Sequence, residues 1–202
     1  MIVRDWMTTQ VEVVRPDDDV ATVREVLRRR AIRQLPVIAA DRLIGIVTDR
    51  DTRGVTDPAT IVESIMSPSP MTTTPATPVE AAAAVLCRRK IGALPVMEGG
   101  RLVGIISESD LLRALVELCN VLDPTTVLEI DCDEDPGGPK RARQVIERHG
   151  GKVAWMTAVR VHGGRQRVNL RVRMPIGHAP ERLLEEAGFT VTSCLMGVSQ
   201  AL

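Results

Sequence analysis

Apolar and polar positions along the first part of the chain predict a short strand, a helix, two strands and a second helix. The extended segment Val11–Val14 leads to Pro16, and an aspartate then caps the first helix, the candidates being Asp17, Asp18 and Asp19. The helix has apolar residues at the spacing of one buried face, namely Val20, Val23, Val26 and Leu27. Leu35–Ile38 and Leu43–Val47 are apolar runs typical of buried strands, with Ala40-Asp41 as the turn between them.

The same pattern returns 59 positions later without a gap. The offset superposes identical residues along the whole pattern: Val3 on Val62, Met7 on Met66, Pro16 on Pro75, Val20 on Val79, Leu27 on Leu86, Pro36 on Pro95, Gly45 on Gly104 and Asp51 on Asp110. In the second copy, Thr77, Pro78 and Glu80 predict a capping box at the start of the helix. An internal repeat of this length indicates two copies of one structural unit, over residues 1–60 and 61–122.

Residues 123–202 do not continue the repeat and predict a third unit with the order βαββαβ. The predicted elements are a strand at 126–130, a helix at 140–149, a hairpin of strands 153–162 and 165–174 around Gly163-Gly164, a helix at 180–187 and a strand at 189–195. This order predicts a ferredoxin-like sandwich, in which two helices cover one face of an antiparallel sheet. We therefore expect an α+β protein.

Composition and charge narrow the possible functions. With two Trp, one Phe and no Tyr, the chain lacks the stacking platforms of single-stranded nucleic-acid binders. The 26 basic and 26 acidic residues give a formal net charge of zero, so no global field attracts nucleic acid or an anionic membrane. No apolar run approaches the roughly 18 residues of a membrane span, and the N-terminus has no signal-sequence pattern. These features predict a cytoplasmic protein.

The candidate chemistry lies where the second strand of each copy enters a helix. Thr48 and Asp51 stand three residues apart there, and Ser107 and Asp110 take the same positions in the second copy. The hydroxyl and the carboxylate can cap the helix without any ligand. They can also bind one, because helix-start amides and a hydroxyl favour a phosphate, while a carboxylate accepts hydrogen bonds from a ribose diol. The spacing alone leaves both alternatives open.

The duplicated motif resembles the cystathionine β-synthase (CBS) domain, and two such units in tandem resemble a Bateman module. The motif is an apolar-Pro-apolar triplet, then Gly, two apolar residues, Thr or Ser and, three positions later, Asp. The resemblance implies two βαββα units packed with pseudo-two-fold symmetry around clefts that bind adenine nucleotides. It implies that Asp51 and Asp110 hold ribose hydroxyls and that Thr48 and Ser107 contact phosphate. The base would be framed by the backbones of Leu35, Pro36, Val37, Leu94, Pro95 and Val96, with residues beside Met7 and Met66.

The two copies differ in charge at this motif. Arg33 and Arg50 stand near Thr48 and Asp51 in the sequence, and either side chain can reach a phosphate; otherwise Arg33 is a surface arginine. The second copy has uncharged residues at both positions, Gly92 and Ser109, and the acid Glu108 stands next to Ser109. We therefore expect the first copy to bind the charged nucleotide, and the second to bind a less charged ligand or to stand empty.

The C-terminal unit resembles an ACT-type regulatory domain. Residues 133–138 resemble the D-x-P-G loop at which such domains bind amino acids, with Asp135, Gly137 and Gly138 as candidate residues. Pro139 and the two glycines replace the usual apolar continuation of that loop, so the alternative role, which we prefer, is a dimerisation sheet. Tandem CBS units followed by an ACT-like unit are similar in layout to bacterial acetoin-utilisation regulatory proteins.

No catalytic motif is evident in the sequence. His149, His162 and His178 belong to no nucleophile–base motif, and the chain has neither a P-loop nor a G-x-G-x-x-G. The four cysteines are widely spaced, which predicts buried free thiols and no zinc site.

We therefore expect a non-catalytic, homodimeric regulatory protein. Its ligand is expected to be AMP, ADP or ATP, with S-adenosylmethionine or NAD as further candidates. Binding would be passed to the ACT-like domain or to a regulated protein that the sequence does not name. The alternative is a ligand-free dimerisation or interaction scaffold.

Overall fold

A computed structural model describes residues 1–121, 123, 125–132, 137–160 and 166–196. The chain forms two compact units, Met1–Ala114 and Leu115–Leu202. The first unit contains two hydrophobic cores, one for each copy of the repeat, and the second unit contains one.

The first copy is a hairpin packed against a helix. Its elements are α1 (Val20–Arg30), β1 (Gln34–Ala39), β2 (Arg42–Thr48) and α2 (Asp49–Arg53). Asp19 caps α1, because its carboxylate accepts a 2.7 Å hydrogen bond from the backbone N–H of Thr22. The buried face of α1 consists of residues that the apolar spacing predicted: Val20, Val23 and Leu27. Strands β1 and β2 pair antiparallel.

The second copy repeats this arrangement. The elements that follow α2 are β3 (Ser67–Pro68), α3 (Val79–Arg89), β4 (Ala93–Glu98), β5 (Arg101–Ser107) and α4 (Glu108–Leu118). Pro95 pairs with Ile105 as Pro36 pairs with Ile46, so the strand register is the same at the 59-residue offset. The turn between β4 and β5 is Gly99-Gly100, and both residues have a positive φ, which glycine adopts without steric cost.

The segment at the start of each copy packs into the core of the other copy. Val3 lies in the core of the second copy and Val62 in the core of the first, and both are fully buried. Thr8 and Ile105 exchange two backbone hydrogen bonds of 2.9 Å, and β3 pairs with β2 in the corresponding place. The two copies are therefore interlocked, because the core of each copy is completed by the segment at the start of the other copy.

Two glycines give this exchange the space that it needs. A Cβ on Gly104 would lie 2.6 Å from the sulfur of Met7, and a Cβ on Gly45 would lie 2.4 Å from the sulfur of Met66. Backbone carbonyl oxygens lie close to the same two positions, at 3.1 Å and 3.2 Å. The spacing of Met and Gly, which is identical in the two copies, thus reflects direct packing between them.

Two sequence predictions for the repeat are wrong. Val11–Val14 is not a strand, since Val14 alone bridges to Val37, and Pro16 follows too soon to extend a ladder. Thr77 does not cap α3, because its hydroxyl accepts a hydrogen bond from the backbone N–H of Thr74 at 3.3 Å. The cap position belongs to Pro78, which makes no side-chain hydrogen bond.

The second compact unit is a four-stranded antiparallel sheet with two helices on one face. Its elements are β6 (Thr126–Asp131), α5 (Gly138–Arg148), β7 (Lys152–Arg160), β8 (Gln166–Arg173), α6 (Pro180–Glu186) and β9 (Thr190–Met196). The strand order is β7-β8-β6-β9. Ala142, Ile146 and Leu184 of the helices pack on alternate residues of the sheet. The predicted order of strands and helices is confirmed, while the predicted Gly163-Gly164 turn lies outside the described residues.

Candidate functional site

The strand–helix turn has the same hydrogen bonds in both copies. The backbone N–H and the hydroxyl of Thr48 both donate to Oδ2 of Asp51, at 2.8 Å and 2.7 Å, and the N–H of Asp51 donates back to the hydroxyl at 3.3 Å. Ser107 and Asp110 make the same three bonds at 2.8, 2.6 and 3.3 Å. The capping geometry is therefore present in both copies, and it holds a hydroxyl and a carboxylate side by side at the end of the strand.

A cleft of about 550 Å³ opens at the second of these turns, and residues of both copies line it. The second copy contributes Gly92, Ile105, Ser107, Glu108, Ser109 and Asp110. The first copy contributes Thr8, Gln10, Val11, Glu12, residues 30–34 and Pro36. The volume is within the range of small-molecule sites, roughly 300–1,000 Å³. Of the residues predicted from the sequence, the cleft brings together Arg33, Pro36, Ser107 and Asp110.

Arg33, which the sequence analysis placed near the first motif, lies beside both turns. Arg33 lines the cleft that contains Ser107 and Asp110, although its backbone carbonyl accepts a 2.9 Å hydrogen bond from the N–H of Asp49 in the first turn. The cleft of the second copy therefore has a positive charge that the sequence did not assign to it. Because the copies interlock, proximity along the chain did not indicate which cleft Arg33 lines.

The lining also contains an ion pair. Arg30 pairs with Glu12, so the charges of these two residues offset one another. Among the described residues, no acidic side chain lies within ion-pair distance of Arg33. Arg33 is thus the guanidinium in this cleft that is available to an anionic ligand.

Asp110 has one partner that Asp51 lacks. Asp110 is only 7% exposed, and its Oδ1 accepts a hydrogen bond from Arg113, three residues later on α4. The residue at the corresponding position of the first copy is Gly54. Within the described part of the chain, no group donates a hydrogen bond to Oδ1 of Asp51. One carboxylate is therefore bonded through both oxygens, and the other keeps one oxygen free.

The remaining predicted residues lie outside this cleft. The apolar residues beside the two prolines are at most 1% exposed and belong to the cores, so only their backbones are available to a ligand: Leu35, Val37, Leu94 and Val96. Pro95 is also buried. Met7 and Met66 lie against the two glycines, and Arg50 is exposed on α2. Thr48 and Asp51 lie at the first turn.

Sequence reasoning missed several residues of the cleft. It also missed Arg113, which does not line the cleft but bonds to Asp110, and which was detectable because Asp and Arg three positions apart on a helix are close enough to pair. Gln34, Thr8 and Gln10 were not detectable, because they reach the cleft through the exchange of segments between the copies. No spacing within one copy indicates that exchange.

The predicted amino-acid loop is only partly covered by the structure. Asp135 lies outside the described residues. Gly137 and Gly138 lie at the start of α5, where the carbonyl of Gly137 accepts a 3.0 Å hydrogen bond from the N–H of Arg141 and Gly138 is buried.

The cysteines are not all buried, contrary to the sequence-based expectation. Cys132 is buried, but Cys87 and Cys194 are exposed, since neither lies on a core-facing position of its element. Partial burial raises the pKa of the Cys194 thiol to about 11, with Glu181 beside it adding to the shift. Among the residues with described positions, no group of three or more His, Cys, Asp or Glu is placed to hold a metal ion; His162 lies outside them.

Comparison with known proteins bears directly on the repeat. The family model described as "CBS domain" matches residues 3–54 and 62–117, just over half of the chain. The chain belongs to the CBS domain family. The two matched ranges are the two copies of the repeat, so the resemblance that the duplicated motif indicated is confirmed, and the protein contains tandem CBS domains.

Relatives and solved structures agree with this assignment. A CBS domain-containing protein of Dictyostelium discoideum is 30% identical over 141 residues, which cover 61% of this chain and 97% of that protein. The structure of CBSX2 in complex with AMP is 30% identical with a TM-score of 0.52, over 57% of this chain and 96% of that one. AcuB from Vibrio cholerae, named for acetoin utilization, is 25% identical with a TM-score of 0.55, over 60% and 94% of the two chains.

Matches to enzymes are partial. The inosine-5'-monophosphate dehydrogenase of Korarchaeum cryptofilum is 36% identical over 111 residues, but this chain spans only 22% of that enzyme's length. The likeness therefore concerns a part of each protein. In the part of the chain that the structure describes, no helix combines the length and the apolar character that crossing a membrane requires.

Proposed function

We propose that this tandem CBS protein is a regulatory sensor that binds an adenine nucleotide in the cleft lined by Arg33, Ser107 and Asp110. The observation that carries this proposal is the convergence of a guanidinium, a hydroxyl and a carboxylate from both copies on one space of about 550 Å³. The AMP complex of CBSX2, a protein 30% identical to this chain, supports the choice of ligand class.

Each of these groups has a role that its chemistry suits. The carboxylate of Asp110 accepts hydrogen bonds from the ribose hydroxyls, and Ser107 and Arg33 contact the phosphate. The ion pair between Asp110 and Arg113 does not prevent this, because the Arg113 side chain is 65% exposed and such pairs contribute only about 0–1 kcal/mol. The first turn, with Thr48, Asp51 and the exposed Arg50, is the second position for the same class of ligand.

Regulation follows from the composition of the cleft. Because both copies line it, a nucleotide contacts both at once and favours the packing in which its contacts are best. A ligand shifts such an equilibrium only by its difference in affinity for the two packings. The shift is then passed to the C-terminal unit or to a regulated protein partner, and the protein acts as a homodimer without catalysis.

Titration calorimetry on the full chain tests the nucleotide claim, with AMP, ADP, ATP, S-adenosylmethionine and NAD as ligands. In the Arg33→Gln variant, AMP affinity should fall by about 1–2 kcal/mol more than adenosine affinity, because only AMP carries the phosphate. Arg42→Gln is the matched control, since Arg42 is exposed on β2 and does not line the cleft. The absence of binding by all five ligands would exclude the proposal.

A ligand-free scaffold is the second candidate, and one observation favours it. Both carboxylate oxygens of Asp110 already have partners inside the protein, Ser107 and Arg113, so the turn is stable without a ligand. On this account, nucleotides leave the melting temperature unchanged, and a second protein co-purifies with the chain.

For the C-terminal unit we propose the ferredoxin-like, ACT-like assignment, with domain limits at 1–60, 61–122 and 123–202. The order βαββαβ and the sheet order β7-β8-β6-β9 support it, since the two central strands are the first and third of the unit. Its proposed role is a dimerisation sheet, with an amino-acid site at Asp135, Gly137 and Gly138 as the alternative. Light scattering of the full chain measures the dimer, and calorimetry with a panel of amino acids tests the alternative.

A further inference from the structure

A second cavity, which shares Ile32 and Arg33 with the nucleotide cleft, lies between the two helices of the first copy. It has a volume of about 460 Å³, and four arginines line it: Arg24, Arg28, Arg33 and Arg53. The lining contains one acid, Asp49, together with Leu27, Ile32 and Thr52. We call this cavity the arginine groove.

The present partners of these arginines leave most of the positive charge accessible. Arg24 is partly buried and donates to the carbonyls of Thr52 and Val55, at 2.5 Å and 2.6 Å, so it stabilises the end of α2. Arg28 pairs with Glu25, and Arg53 pairs with Asp49. The two paired guanidiniums belong to side chains that are 78% and 74% exposed, and exposed pairs of this kind are weak. A stronger anion can therefore take their hydrogen bonds at little cost.

Helix stabilisation accounts for only part of this set of residues. Basic residues in the last turn of a helix stabilise it by complementing its dipole, which applies to Arg28, Arg29 and Arg30 in α1 and to Arg53 in α2. Arg29 and Arg30 do not line the groove. The second copy keeps these two basic residues, because Arg88 and Arg89 stand at the same two positions in α3. The groove arginines are not kept.

The internal repeat supplies the comparison that decides this point. At the 59-residue offset, the counterparts of the four groove arginines are all uncharged: Ala83, Cys87, Gly92 and Leu112. The buried counterparts are apolar in both copies, with Leu27 matched by Leu86 and Ile32 by Ile91. The second copy therefore keeps the apolar residues at these positions without the arginines, although α2 ends at Arg53 and the matching helix α4 continues to Leu118. The convergence of four guanidiniums from α1, α2 and the turn after α1 on one cavity is specific to the first copy.

We propose that the arginine groove binds a chain of phosphate groups. Guanidinium groups recognise phosphate through paired N–H donors in a fixed plane, and several of them around one cavity match an anion with several charges. The site goes beyond the nucleotide cleft, because it contains neither Ser107 nor Asp110. The phosphate chain can belong to a nucleoside triphosphate or be free.

Calorimetric titration of the full chain with inorganic tripolyphosphate at low salt tests this proposal. The Arg28→Gln/Arg53→Gln double variant should bind tripolyphosphate at least about tenfold more weakly than the wild type. Arg24 stays unchanged in it, because Arg24 holds the end of α2. The Arg88→Gln/Arg89→Gln double variant is the matched control, since it removes the same charge from the other copy and should change affinity less than about twofold. Melting curves establish that both variants are folded.

Competition experiments identify the source of the phosphate. Displacement of tripolyphosphate by ATP but not by adenosine assigns the groove to a nucleotide's phosphate tail, and displacement by neither assigns it to a free phosphate chain. Displacement by adenosine would place the anion in the nucleotide cleft and overturn the proposal. So would the absence of tripolyphosphate binding, or an equal loss in the two double variants, which would show diffuse attraction. If tripolyphosphate binds but AMP, ADP, ATP, S-adenosylmethionine and NAD all fail to bind, the proposed function is refuted and the groove proposal stands.

Discussion

The two copies of the repeat share one scaffold and differ in the polar groups attached to it. The strand register, the buried helix face and the turn hydrogen bonds coincide at the 59-residue offset. The first copy adds four arginines in a groove, whereas the second has uncharged residues there and an Arg113 that bonds to Asp110. The comparison separates the features of the scaffold, which are kept in both copies, from the polar groups to which we assign ligand binding, which differ between them.

The largest expected effect tests whether the scaffold is equivalent in the two copies. Leu35 and Leu94 occupy matching positions and are 0% and 1% exposed. Leu35→Ala and Leu94→Ala should each lower the free energy of unfolding by about 2–5 kcal/mol, and the two values should agree within about 1 kcal/mol. Urea denaturation measures both. A cost below about 1 kcal/mol in one copy would show that the two cores are not packed alike.

A smaller effect tests the interlocking of the copies. Gly104→Ala should destabilise the protein by about 1–3 kcal/mol, because the new Cβ meets Met7. Adding Met7→Ala should relieve part of that strain, whereas adding Met66→Ala should not, since Met66 lies against Gly45. Rescue by Met66→Ala instead would contradict the exchange of segments. Thermal melting of the single and double variants provides the comparison.

The smallest effect tests the difference between Asp51 and Asp110, of which only Asp110 has an arginine partner. Gly54 has a φ of −85° and no atom within 4 Å of a Cβ built on it, so an arginine fits there. Gly54→Arg should give Asp51 the partner that Arg113 gives Asp110. Relative to Gly54→Ala, the gain in unfolding free energy should be about 0.3 kcal/mol and should vanish in an Asp51→Asn background. A gain that persists in that background would come from the backbone alone.

The sequence allowed correct prediction of what is local and repeated. The stripe from Val20 to Leu27, both hairpins and the elements of the C-terminal sheet follow from periodicity, because burial of one face constrains each of these segments. The capping geometry of Thr48 and Asp51 also follows from their spacing.

What the sequence did not predict depends on how segments that are distant along the chain pack together. Arg33 was assigned to the nearer motif alone, but the packing of the two copies also brings it to the cleft of Ser107 and Asp110. The arginine groove was also missed, because its residues come from two helices whose packing no spacing reveals. Val11–Val14 does not form a strand, because only Val14 bridges to another segment, at Val37.

The most direct test of the central claim is to titrate AMP into the Asp110→Asn and Asp51→Asn variants side by side. If the cleft with Arg33 is the tighter nucleotide site, Asp110→Asn should weaken AMP binding by about 1–3 kcal/mol, because the ribose loses a charged acceptor. Asp51→Asn should leave the tighter affinity unchanged. Loss of that affinity in Asp51→Asn, with Asp110→Asn behaving like the wild type, would contradict the account.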